Sequence, residues 1–176
     1  MTAPTTSAAP PPAFRDASGH HYHAARLAAD RRLTIAADHS AGLAAECAIK
    51  AILLDYLGSR LNDKQRPYSE DLKLDAQLNP PGGKRRKQPR TEYLHEHLPE
   101  LWGQLTTLLD RRRARETGTL FLRLIGHNPF HDWNVADRYG DGTAISDADL
   151  RRHLRAAYEL LAAHEQARVL GTGALA

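Results

Sequence analysis

The stretch DHSAGLAAECAIKAILLDYL, residues 38–57, decides the fold. Ile35, His39, Leu43, Cys47, Ile49, Ile52, Leu53 and Leu57 recur at helical spacing through and just before it. Small residues (Ala37, Gly42, Ala44, Ala45, Ala48, Ala51) lie among them, and these let another helix approach closely. The pattern predicts one long helix from Arg32 to Leu57 at the centre of a helical bundle, stopped by Gly58. Glu46 and Lys50 stand four apart with the acid first, the favourable order for a helical ion pair. On a central helix such charges are buried and must then be paired.

The surrounding sequence fits a helical bundle. The chain has 28 Ala and 25 Leu against only 2 Val and 5 Ile, the reverse of what a sheet would favour. An all-α fold of four or five helices is therefore expected. A first helix is predicted over Ser18 to Arg31. A third, with the stripe Leu94, Leu98, Leu101, Trp102, Leu105, Leu108 and Leu109, begins near Leu98 because Pro99 fits only a first turn. A fourth is predicted over Thr117 to Ile125. Ser146 and Asp149 form a capping-box pattern that opens a last helix to about Leu170.

The tails and the linkers complete the layout. Residues 1–15, rich in Pro, Ala and Thr, read as a disordered tail, 16–170 as the helical domain and 171–176 as a second tail. The polar stretch 59–90 reads as a variable basic loop between helices 2 and 3, with a short helix near Glu70 to Leu78 and mobility around residues 79–88. No run of apolar residues is long enough to span a bilayer, so no membrane partner is expected. A lone Cys47 excludes an internal disulfide framework, and the N-terminus lacks a secretory signal, so a cytoplasmic location is expected.

The net charge is only +3, but its distribution is uneven. Between Lys84 and Arg115 nine basic residues face four acidic ones, a larger surplus than that of the whole chain. Lys84, Arg85, Arg86 and Lys87, with Arg111 and Arg112, form a candidate track for a nucleic-acid backbone. The loop from Phe130 to Tyr139 is a second candidate. Trp133 or Tyr139 can stack a base and Arg138 can meet a phosphate, or else Trp133 fills the core while Asp137 and Arg138 fasten the loop. His131 stands in the same loop, and the histidines at 20, 21 and 23, at 95 and 97, and at 127 and 131 are clustered. None has the carboxylate or thiolate companions of a designed metal site. No cofactor motif is present: phosphate loop, nucleophile elbow and kinase set are all missing.

Arg32 and His39, two turns apart in the predicted helix, are the candidate catalytic pair. An imidazole moves a proton near neutral pH, and a guanidinium holds a phosphate through paired donors. Together they can cleave RNA without a metal. The bland alternative is a core histidine beside a surface arginine.

The order of these features resembles the HEPN domains, a family of small helical domains. The central helix carries a small residue, Glu, three residues and Lys (Ala45, Glu46, Lys50). His97 then precedes a Leu-rich helix, and the pair Arg138-Tyr139 precedes the capped last helix. The resemblance implies a homodimer of helical bundles. It also implies a metal-independent ribonuclease of toxin–antitoxin or phage-defence type, or a silent module that binds a nucleotide, RNA or a protein such as a nucleotidyltransferase. The family motif is an Arg, four to six residues, then a His. Arg32 and His39 match it with six between; Arg15 with His20, and Arg90 with His95 or His97, also satisfy the count.

Overall fold

Small side chains at close intervals give the central helix a surface on which neighbours can lie directly. The computed structural model describes residues 10–72, 93–111, 121 and 126–171. Among them are four α-helices: α1 (Phe14–Asp30), α2 (Thr34–Tyr56), α3 (Glu100–Arg111) and α4 (Asp147–Leu170). The fold is all-α, as the composition predicts. The minor β element is an antiparallel pair, β1 (Arg60–Leu61) and β2 (Pro67–Tyr68), with Arg60 opposite Tyr68. Single-turn 3-10 helices span Glu70–Leu72 and, somewhat longer, Val135–Tyr139. No helix among the described residues is long and apolar enough to cross a membrane.

The central helix is shorter than predicted at its start. Arg32 lies outside it, in a turn with φ of 57°. The Arg32 N–H donates to the Ala29 carbonyl and the Leu33 N–H to that of Ala28, a paired arrangement that closes the end of α1. The chain then reverses into α2, which packs against both α1 and α4. α2 is buried on almost every side. Ala37, Ala41, Ala44, Ala45 and Ala48 take the close contacts, and Ile49, Ile52 and Leu53 join the main core. Leu101, Leu105, Leu108 and Leu109 from α3 meet them, with Phe121, Phe130 and Leu160. Each large aliphatic contributes about 1.5–3 kcal/mol by leaving water.

Glu46 is buried and fully engaged, as expected. Its carboxylate accepts from Lys50 Nζ at 2.7 Å, from His97 Nδ1 at 2.9 Å and from the Leu98 N–H at 3.4 Å. Burial pushes its carboxyl up, but Lys50 and His97 together outweigh this and hold it below the ordinary range. These bonds fasten the segment before α3 onto α2. His95, in the same segment, is buried between Ser59 Oγ at 2.8 Å and Gln104 Oε1 at 3.3 Å. Gln104 Oε1 also accepts the Glu96 N–H, so His95 Nδ1 is the donor there and Nε2 accepts from Ser59.

Other boundaries differ modestly. α1 begins at Phe14, so Phe14 and Arg15 belong to it rather than to the tail. α3 begins at Glu100, just past Pro99, and runs to Arg111. Ser146 caps α4 through the predicted box with Asp149, and Gly171 closes it in the left-handed conformation. The short helix near Glu70 is a 3-10 turn to Leu72, and the rest of that prediction lies outside the described residues. So does the predicted mobility at 79–88. Of the predicted helix 117–125 only Phe121 is described, helical and buried.

Candidate functional site

The turn between α1 and α2 and the turn Val135–Tyr139 together form one cleft. Its volume is about 690 Å³, and Arg32, Leu33, Ile35, His39, Arg138 and Asp141 are among its walls. Three polar residues singled out from the sequence thus meet, although Arg138 is distant from the other two in the chain. Arg32 arrives from the α1–α2 turn and not from the helix face first expected; the left-handed backbone there places it at the mouth of α2.

The floor is built from α2 outward. Gly42 sits under the Trp133 indole so closely that a Cβ would lie 2.1 Å from ring carbon Cε2. Trp133 Nε1 donates to the Asp38 carbonyl at 3.2 Å. The indole and the His39 imidazole are nearly parallel, with planes 11° apart and centroids 6.2 Å apart. His39 is half-buried, and its Nδ1 is buried with no hydrogen-bond partner. Burial, with the nearby positive charge of Arg138, pushes its pKa below the ordinary histidine value. The neutral form therefore dominates at pH 7, which leaves a ring nitrogen able to take a proton.

Beside this floor a polar cluster binds the aromatic loop to α4. His153 Nδ1 lies 2.6 Å from Asp38 Oδ1, and its Nε2 lies 3.3 Å from Asp132 Oδ1. Arg152 pairs with Asp132 and Asp149 and donates through Nε to the Pro129 carbonyl at 3.0 Å. The Phe130 ring stacks on His153 at 5.0 Å. Trp133 is thus a core residue, which bears out the alternative in which it fills the core and not the one in which it stacks a base. The fastening of the loop falls to Asp132, Trp133 and Arg152. Asp137 contributes its backbone, its carbonyl accepting the Gly140 N–H at 3.0 Å.

The remaining candidates are dispersed or not described. Tyr139 is 77% exposed, with the Arg138 guanidinium carbon 4.6 Å from its ring centroid. His131 is exposed, bonded through Nδ1 to the Asn128 carbonyl and facing His127 at 5.4 Å. Arg111 ends α3 and does not line the cleft. Lys84, Arg85, Arg86, Lys87 and Arg112 lie outside the described residues. Arg90 lies outside them too, and the alternative partners His95 and His97 are committed to Ser59, Gln104 and Glu46. Among the described residues no three His, Cys, Asp or Glu are grouped to hold a metal ion.

The sequence reading missed Asp38, Asp132, Arg152 and His153. Asp38 sits on the inner face of the central helix, a local signal that it must be paired. Nothing local pairs it with His153.

Two guanidinium groups and a neutral imidazole on one cleft form an arrangement suited to an oxyanion with an exchangeable proton nearby. Comparison with family models, with curated proteins and with solved structures finds no match for this chain.

Proposed function

We propose that the chain is an HEPN-like protein whose Arg32–His39–Arg138 cleft holds a phosphate of RNA and cleaves it without a metal. One observation carries this reading: the three groups reach a single cleft from separate elements, with His39 held neutral beside them. Arg32 and Arg138 neutralise the phosphate, and their charge counts most as the pentacoordinate state forms. His39 takes the proton of the attacking 2′-hydroxyl. One imidazole lines the cleft, and the leaving oxygen also needs a proton. A two-fold homodimer that joins two clefts supplies a second imidazole, which gives the leaving oxygen its proton from the imidazolium form while its mate, neutral, takes the proton of the 2′-hydroxyl.

The same count favours a second reading. A cleft with one imidazole suits a module that binds RNA or a nucleotide without cutting it. An RNA cleavage assay in EDTA separates the two. Cleavage by the wild type, lost in His39→Ala and in Arg138→Ala, supports the ribonuclease. Binding lost in Arg138→Ala without any cleavage leaves the binding module. Light scattering tests the dimer, and a stable monomer that cleaves RNA overturns the shared-cleft part of the proposal.

A further inference from the structure

Val135–Tyr139 leaves its one aromatic side chain in water, against Arg138 of the cleft wall. Tyr139 is 77% exposed, the most exposed of the large apolar side chains among the described residues. Its setting is ordered on both sides. Asn134 caps the turn by accepting the Ala136 N–H at 2.9 Å, and the Gly140 N–H closes it on the Asp137 carbonyl. One residue before that cap, Trp133 anchors the segment in the core through Asp38. Arg138 donates to the Tyr139 hydroxyl and lies against the ring, so the aromatic is held beside the cleft. An aromatic held exposed on an anchored turn offers a π-face on which a base can stack.

We propose that Tyr139 is a stacking platform for an unpaired nucleobase, so that the cleft takes single-stranded rather than duplex RNA. The inference rests on the phosphate-cleft reading above. Arg138 belongs to both parts, lining the cleft and lying against the Tyr139 ring. A phosphate held by Arg138 and Arg32 therefore brings its own or the next base to the tyrosine. In a duplex both faces of an internal base are covered by its neighbours, so stacking on Tyr139 requires a flipped or single-stranded base. Trp133, the other aromatic of the loop, is buried and cannot serve.

Fluorescence anisotropy on the full chain tests this with a labelled, 2′-O-methylated hexaribonucleotide, which cannot be cut by attack of its own 2′-hydroxyl. The comparison probes are the same oligomer with abasic sites, its duplex, and inorganic phosphate as competitor. Tyr139→Ala is expected to weaken single-strand binding roughly tenfold or more, the range of one lost stacked base. Tyr139→Phe should retain it, and phosphate competition should be the same in both variants. Wild-type affinity for the abasic oligomer should match that of Tyr139→Ala for the intact one. Undiminished single-strand binding by Tyr139→Ala, alongside loss in Arg138→Ala, overturns the platform and leaves the phosphate cleft standing. Absence of both oligomer and phosphate binding in the wild type overturns the cleft reading and the platform with it. Equal affinity for duplex and single strand also overturns the platform.

Discussion

Asp38 and His153 meet at 2.6 Å across 115 residues of sequence, and both side chains are 3% exposed. The contact joins α2 to α4 directly behind the cleft. Removing Asp38 leaves His153 Nδ1 buried without its bond, with only the Nε2 contact to Asp132 remaining, and removing His153 leaves the Asp38 carboxylate buried without it. Asp38→Ala or His153→Ala is expected to cost about 3–5 kcal/mol, and the double variant less than the sum of the two. Asp132→Asn removes a charge from the partly exposed side of the cluster, where Asp132 meets His153 Nε2 and Arg152, and is expected to cost about 1 kcal/mol or less. Urea unfolding measures all four. Additive losses in the double variant would show that the two residues act independently.

Gly42 is required by the indole above it. An alanine in a helix is normally better by about 1 kcal/mol than glycine. Here the added methyl meets the ring of a buried Trp133 at 2.1 Å. Overpacking of this kind costs about 1–3 kcal/mol and must shift a ring that carries the aromatic loop. Gly42→Ala is therefore expected to destabilise, against propensity. A calorimetric scan that shows a higher Tm for the variant would refute the packing argument.

Arg32 occupies a position where glycine is the usual residue. Its φ of 57° is the left-handed conformation, which costs a side chain about 1–2 kcal/mol. Glycine would relieve that cost but add about 0.4–1 kcal/mol of chain entropy to the unfolded state. Arg32→Gly is expected to gain about 0.5–1 kcal/mol in stability while weakening phosphate binding in the cleft. Higher stability with unchanged binding would remove Arg32 from the site.

Most of the bundle was legible because its signals are local. Alanine and leucine spacing marks α2, and Ser146 with Asp149 marks the start of α4, each within a few residues. Glu46 and Lys50 were legible as a buried pair for the same reason. The exit of Arg32 from the helix was not, because it depends on a backbone reversal that arginine rarely makes and glycine commonly does. The cleft was half legible. Arg32, His39 and Arg138 were each named, but their meeting depends on Trp133 docking over Gly42. That contact spans half the chain and leaves no periodic trace. The same holds for His153, whose neighbours in sequence look like those of any exposed helix.

His95 makes stability depend on acid. Burial pushes its pKa down to about 4, against a weaker opposing effect of the Gln104 bond. The unfolded chain then binds a proton more readily than the folded one between about pH 6.5 and that value. Stability is full above this window and falls as the pH drops through it, by an amount of the order of 3 kcal/mol from this residue. His95→Gln should flatten that limb in urea titrations repeated at several pH values. Loss at lower pH remains in the variant, because Glu46 and Asp132 are held below their ordinary pKa and lose their bonds when protonated. An unchanged slope between pH 6.5 and 4 would assign the acid sensitivity elsewhere.

Arg138 acts on His39 through charge as well as through the ligand. Burial is the larger cause of the depressed His39 pKa, and the positive charge of Arg138 adds to it. A guanidinium nearby disfavours the imidazolium, so its removal makes protonation easier. Arg138→Ala is expected to raise the His39 midpoint in an NMR titration of the ring proton, while burial keeps it below that of a free histidine. In the ribonuclease reading the neutral ring is the base, so cleavage rises with pH through that midpoint. The acid limb of the rate profile should then move up in Arg138→Ala by the same amount as the NMR midpoint, beyond any loss of rate from weaker binding. Arg138→Lys keeps the charge and should restore the midpoint while leaving the bidentate grip on phosphate impaired. A midpoint that stays fixed in Arg138→Ala would show that the two side chains do not share the cleft in solution.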